Sequence, residues 1–412
     1  MNTQARGKSR TASVVAAKFA ARAILVQDDS HDPSRRLIHK VAADCRIELK
    51  TVKSEVELET ELTKRKADLV LVSSESRRAA ALCDLVRESS GVRTAVVGLC
   101  SSVTELAYGE FLCWGGDDLV SEHSEPGLRA RLRAVRDDLV HADNAPRPQV
   151  TESMKFLVYG PECADAGPVA RQLRHAGHEV LPFRSLGNVQ EQLESGELVR
   201  LIIDARSPGA VALVTMALET PSCLNVVMTC APHLIGELRR RYASSPKVTV
   251  IDSYAPPDTV LLVVNDMKRA GRNQRAAERA LYSTLVAFRS AGDSRDELGF
   301  AHNISDGGLY VRTLVKPETD LVWVELTPPG SPDRVRLEAR VAWRTPLTRH
   351  RESGVPTGFG AQIVDGTRSS LTQWKEGYRR LMDIHENRRH LGVGQPVPLV
   401  TGPETPPILA CQ

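Results

Sequence analysis

Long apolar runs are missing from this chain. No stretch reaches the ~18 apolar residues that a membrane-spanning helix needs, so bilayer insertion is not expected. The apolar run at 12–17 is short and Lys18 ends it. A signal peptide needs a longer uninterrupted apolar core, so residues 1–20 read as a disordered basic tail on a cytoplasmic protein. Cysteine pairs at metal spacing are missing as well. The eight cysteines are scattered and none forms C-x-x-C, which speaks against a zinc knuckle or a disulfide framework. Several sit inside apolar runs and read as small buried hydrophobes of a reducing compartment. Excess charge of one sign is absent too. The chain has 54 basic and 51 acidic residues and a net charge of +3, so a nucleic-acid-coating surface is not expected. There is no H-E-x-x-H, no P-loop and no Ser-His-Asp order, so neither an enzyme nor a metal or cofactor site is expected.

What is present is a soluble-type composition, 42% hydrophobic and 25% charged over 412 residues, too long for one ordinary core. Residues 21–143 alternate short apolar strands (23–26, 69–72, 95–97, 118–120) with amphipathic helices. A polar, proline-containing linker follows at 143–149. Residues 153–269 repeat the rhythm, with strands at 156–159, 201–203, 225–229 and 247–251. Strands alternating with helices imply a parallel sheet covered on both faces. Residues 272–385 follow another pattern. Strand-like runs at 321–326, 335–343 and 358–364, separated by turns, read as a small antiparallel barrel. A helix over 369–384 closes it, with Leu371, Trp374, Tyr378, Leu381 and Met382 on one face. Residues 386–412 read as a disordered tail, its last part holding five prolines and no periodicity.

Two motifs stand out in the third segment. Arg275-Ala-Ala-Glu-Arg279 precedes a strand at 285–288, and Asn303-Ile-Ser-Asp-Gly-Gly308 reads as a polar loop opening the next strand. Two guanidiniums offer rigid donor forks and flat faces that suit a doubly phosphorylated, planar anion. Asn303 and Ser305 add hydrogen bonds, and Gly308 permits close backbone approach. In order and in a barrel context, these motifs resemble the PilZ domain, the bacterial receptor module for cyclic di-GMP. That resemblance implies that Arg275, Arg279, Asn303, Ser305 and Gly308 bind the nucleotide. His302 reads as a solvent-facing loop residue, and Trp323 and Trp343, in alternating strands, read as barrel core.

The two α/β segments resemble response-regulator receiver domains that have lost their chemistry. In the first, Asp28 and Asp29 stand where the family's acidic pair helps hold Mg²⁺. Ser73 occupies the place of the phosphoacceptor aspartate, and Glu122 replaces the family's lysine. In the second, Asp204 stands at the acceptor position and is the candidate phosphoacceptor, and Thr229 matches the family's hydroxyl. Gly160 and Pro161 replace the acidic pair, so a Mg²⁺ site is hard to assemble. Gly115-Gly-Asp-Asp118 is superficially like a cyclase signature but lies at a receiver-type strand, and no GGDEF- or EAL-type catalytic run follows.

The resulting expectation is two α/β doubly wound, flavodoxin-like receiver domains, then a PilZ barrel with a C-terminal helix. The expected function is a non-enzymatic cyclic di-GMP effector whose pseudo-receivers bind protein partners, with a homodimer among the assemblies to be tested. Nucleotide binding is expected to order the arm before the barrel and reorient the α/β domains. The alternatives are a ligand-free PilZ-like scaffold in motility or polarity signalling, or a phosphorelay protein using Asp204.

Overall fold

The computed structural model describes residues 21–27, 33–90, 94–142, 153–160, 167–242, 244–245, 247–253, 259–260, 263–264, 279–347 and 356–390. The expectations for residues 1–20, Asp28, Asp29, 143–149, Pro161, Arg275 and 391–412 lie outside these described residues, while 386–390, expected to begin the disordered tail, instead continue the last helix.

The first α/β unit runs β1 (Ala21–Val26), α1 (Pro33–Asp44), β2 (Ile47–Val52), α2 (Glu55–Lys64), β3 (Leu69–Ser73), α3 (Ala79–Ser90), β4 (Ala95–Cys100), α4 (Glu105–Cys113), β5 (Asp118–Ser121) and α5 (Glu125–Ala142). Its sheet has five parallel strands in the order β2-β1-β3-β4-β5, the flavodoxin-like order. Strands β1 and β4 are buried at every position, because helices cover both faces of the sheet. Helix starts are set by local polar chemistry. Ser54 caps α2 by accepting from Glu57 N at 3.2 Å, and Thr104 caps α4 by accepting from Ala107 N at 3.1 Å. The Gly-Gly-Asp-Asp run is structural. Asp117 Oδ2 accepts from Arg87 Nη2 at 2.8 Å and from Val96 N at 2.7 Å, and Arg87 also donates to the Gly115 carbonyl.

The second α/β unit runs β6 (Lys155–Tyr159), α6 (Pro168–His175), β7 (Glu179–Phe183), α7 (Leu186–Glu194), β8 (Val199–Asp204), α8 (Ala210–Glu219), β9 (Cys223–Cys230), α9 (Pro232–Arg241) and β10 (Val248–Asp252). Its sheet order, β10-β9-β8-β6-β7, repeats the first topology. Each sheet therefore has five strands where the sequence pattern indicates four. The additions, β2 and β7, are both edge strands, and each pairs with one neighbour.

The third unit is a closed barrel in the order β11-β12-β13-β16-β15-β14, all antiparallel. Its strands are β11 (Ala280–Ser290), β12 (Glu297–Ser305), β13 (Gly308–Arg312), β14 (Leu321–Leu326), β15 (Val335–Thr345) and β16 (Gly358–Gly366). Helix α10 (Arg368–His390) follows, and its Trp374, Leu371, Tyr378 and Leu381 pack on the barrel core. Trp374 Nε1 donates to the Asp306 carbonyl at 2.9 Å, tying this helix to the β12–β13 turn.

The first α/β unit is docked onto the barrel. Phe300 of β12 lies in the core formed by α3 and α4, stacked on Tyr108 with ring centroids 5.3 Å apart. Leu314 and Leu347 complete the core on the other face of the same sheet. Asp118, fully buried, accepts from Leu314 N at 2.8 Å, from Thr313 Oγ1 at 3.3 Å and from Arg131 Nη2 at 3.3 Å. Arg131 also reaches Glu297 at 2.8 Å and the Leu298 carbonyl at 2.9 Å. Burial, and then the Asp118 charge, hold the Tyr108 hydroxyl well above its ordinary range, so it stays a donor to Asp118. The second unit touches the rest differently. Arg171 bridges to the exposed Asp84 and Glu88 at 2.9 and 3.0 Å, α9 packs against α10, and Leu281 joins its core.

Candidate functional site

Strand alternation defines the barrel's outer face. Ile304 of β12 pairs with Leu309 of β13 and both point into the core. Their neighbours Asn303, Ser305, Gly308 and Tyr310 therefore face outward. The register carries this face across the sheet. One row runs Asn303, Tyr310, Gly360 and Trp343, and the next runs Ser305, Gly308, Gln362 and Arg340. Gln362 and Arg340 are exposed.

The two sequence motifs meet on this face. Arg279 lies immediately before β11, and its Nη1 donates to Asn303 Oδ1 at 3.4 Å although the residues are 24 apart in sequence. Asn303 is 7% exposed and Arg279 is half-buried. Ser305 Oγ donates to the Gly308 carbonyl at 3.3 Å, closing the two-residue Asp306-Gly307 turn. The Gly307 carbonyl accepts from Ile363 N at 2.9 Å. Gly308 is needed for close approach, but of a neighbouring strand: a Cβ there would fall on the Ala361 carbonyl oxygen of β16. Arg275 lies outside the described residues.

Three readings from the sequence are corrected here. Asn303 and Ser305 are not in a loop but at the end of strand β12, and only Asp306 and Gly307 form the turn. His302 is not solvent-facing; it sits in β12 at a register shift and is 3% exposed. Trp343 and Trp323 are not barrel core. Trp343 is 38% exposed, and its indole lies parallel to the Tyr310 ring at 4.9 Å and 9°. Trp323 is half-buried on the outside, with the Arg336 guanidinium 5.2 Å from its ring centre. A bulge between Val341 and Trp343 turns the second tryptophan outward. Gly360 makes room for it, because a Cβ there would collide with the indole. Arg340 and Gln362 thus join the face without having been singled out in the sequence, and Trp343 joins it although its pattern reads as core. The Gly-Phe-Gly run at 358–360 was the available signal.

The face combines a guanidinium, an amide, a hydroxyl, an exposed indole and an exposed arginine. Such a set can bind an anion with flat aromatic parts through charge-assisted hydrogen bonds and stacking.

The receiver-type positions do not assemble comparable chemistry. Ser73 ends β3 and Glu122 follows β5. Asp204 is 5% exposed and both its oxygens are held by Arg206, at 3.1 Å from Nε and 2.6 Å from Nη2. It also accepts from Arg206 N at 2.8 Å, the contact of a turn residue at a strand end. Thr229 Oγ1 points back to the Ile203 carbonyl at 3.5 Å. No helix among the described residues is long and apolar enough to cross a membrane.

Comparison with known proteins places the barrel. The family model for the PilZ domain matches residues 273–376. Among solved structures, the chain is similar to the PilZ domain of CeSA from a cellulose-synthesizing bacterium, with 20% identity, 25% of this chain and 93% of that chain covered, and a TM-score of 0.18. It is also similar to an atypical orphan response regulator, with 21% identity, 28% and 95% coverage and a TM-score of 0.25. A third similarity is to the C-terminus of E. coli RcsC with its phosphoreceiver domain, with 12% identity, 62% and 96% coverage and a TM-score of 0.23. The comparison with curated proteins finds no match. Two flavodoxin-like sheets precede the matched segment, and the segment itself contains the closed barrel and the sequence of both motifs. Residues 273–376 of this chain form a PilZ domain.

Proposed function

We propose that the chain is a non-enzymatic signalling effector that binds cyclic di-GMP on the outer face of its PilZ barrel. Arg279, Asn303, Ser305 and Gly308 form the described part of the site, and Arg275 joins from the preceding arm. The observation that carries this reading is the contact between Arg279 and Asn303, which brings two motifs 24 residues apart to one place on the barrel.

The chemistry fits the ligand. Cyclic di-GMP carries two phosphate charges and two guanines. A guanidinium supplies charge-assisted hydrogen bonds, each worth about 1.5–3 kcal/mol. Trp343 offers an indole face beside the polar row, and stacking of one base there contributes about 1–3 kcal/mol. Arg340, exposed one row away, adds a second cation to the same face.

The α/β units act in this reading as protein-interaction modules, not as phosphoryl acceptors. A serine stands at position 73, Glu122 brings a negative charge where a cation would grip phosphate, and Arg206 occupies the Asp204 carboxylate. The first unit is held to the barrel by buried contacts, so a rearrangement on ligand binding falls on the second unit.

Thermal melting of the full chain tests the reading. Cyclic di-GMP raises the melting midpoint and cyclic di-AMP, at the same concentration, does not. A folded chain unmoved by cyclic di-GMP would favour a ligand-free scaffold.

A further inference from the structure

The first α/β unit does more than sit against the barrel. Strand β11 pairs with β12 in two stretches, Ala280 and Leu281 opposite Ile304 and Asn303, then Thr284 onward opposite Ala301. Between them Tyr282 and Ser283 face the single residue His302, which makes a β-bulge. Arg279 lies one residue before the short stretch, so this bulge sets which way its side chain points. A slip of one residue would carry Arg279 to the opposite face of the strand and away from Asn303.

The bulge is held from outside the barrel. Glu105 opens α4 of the first α/β unit, and a single carboxylate oxygen, Oε2, accepts from Thr284 Oγ1 at 2.7 Å and from Leu285 N at 3.0 Å. Strand β14 pairs with β11 only over Ala287 to Ser290, so the Leu285 N–H lies beyond that ladder and Glu105 takes the acceptor's place. Thr284 is 1% exposed and Leu285 packs against the core of the first unit. Within the bulge itself, the Tyr282 hydroxyl donates to the Thr327 carbonyl at 2.9 Å. Burial, and then the Glu105 charge, push that hydroxyl up to about 12, so it remains a donor.

We propose that Glu105 is a positioning residue for the nucleotide site: it pins the β11 bulge and so holds Arg279 opposite Asn303. The first α/β unit is then a working part of the binding module, and its docking through Asp118 and Arg131 delivers Glu105 to the barrel. This inference rests on the nucleotide reading above for its ligand, while the pinning itself stands on the contacts alone.

The test uses the full chain and two substitutions. Glu105→Ala removes the acceptor; Glu105→Gln keeps an oxygen that can accept both hydrogen bonds and removes only the charge. Two quantities are read: affinity for cyclic di-GMP, and amide hydrogen exchange over residues 280–287. Glu105→Ala weakens binding roughly fivefold or more, as loss of a charged hydrogen bond would, and speeds exchange in that segment. Glu105→Gln restores most of both. Unchanged exchange and affinity in Glu105→Ala would overturn the proposal, as would a Glu105→Gln protein that behaves like Glu105→Ala. If the wild-type chain binds no nucleotide, the ligand reading falls. The exchange rates then decide the pinning: faster exchange in Glu105→Ala alone supports it, and equal rates refute it.

Discussion

Asp118 of the first α/β unit accepts the backbone N–H of Leu314, at 2.8 Å, across the boundary with the barrel. The same carboxylate receives Tyr108, Arg131 and Thr313 and is wholly buried. A charge so placed is tolerated because every direction around it offers a donor.

Removing it leaves Arg131 buried with one carboxylate partner fewer, Glu297 alone. Asp118→Ala costs about 3–5 kcal/mol of stability, the range for breaking a buried ion pair. Urea unfolding of the full chain measures it, and a loss below about 1 kcal/mol would show that the pair is incidental.

Phe300→Ala tests the apolar part of the same boundary. The ring is 4% exposed and stacked on Tyr108, so its removal costs about 3–5 kcal/mol. The first α/β unit and the barrel lose stability together, seen as loss of hydrogen-exchange protection in both β4 and β12. Loss confined to the barrel would mean that the two are independent.

An isolated barrel fragment, residues 266–390, is expected to be a poor substitute for the whole chain. It exposes Phe300, Leu314 and Leu347 and strips Glu297 of Arg131. The fragment aggregates or melts lower than the barrel melts in the full chain. A monomeric fragment of equal stability would contradict the docking described here.

Cys83 and Cys100 are chemically silent in the native fold. Burial pushes both thiols up to about 12, so at pH 8 each is almost wholly in the unreactive thiol form. Neither reacts with a thiol-specific reagent until urea unfolds the first unit. Rapid native labelling at either position would refute this.

Much of this architecture was legible in the sequence, and the losses have physical causes. The central strands of both parallel sheets are continuous apolar runs because both faces are covered. Edge strands β2 and β7 escaped notice. β2 is only partly buried, and β7 carries Pro182, which an edge strand tolerates. Strand β12 lacks alternation for another reason. Phe300 on its outer side packs into the core of the first α/β unit and His302 and Asn303 are buried as well, so six consecutive positions are buried and the period of two disappears. Trp343 was misplaced because period-two counting from Val341 puts it inside, and one bulge reverses it. The Arg-x-x-x-Arg and Asn-x-Ser-x-x-Gly motifs were legible through their resemblance to the PilZ domain. The contribution of Glu105 was not, since it lies 179 residues from the threonine it holds.

Isothermal titration of cyclic di-GMP into the full chain, beside Arg279→Ala and Trp343→Ala, tests the central claim most directly. The wild-type chain binds at micromolar or tighter affinity. Arg279→Ala lowers that affinity about tenfold or more and Trp343→Ala about tenfold, each step of ten being about 1.4 kcal/mol, with melting temperatures held near wild type. No heat from a folded wild-type chain, or equal affinity in the Arg279→Ala chain, would contradict the account.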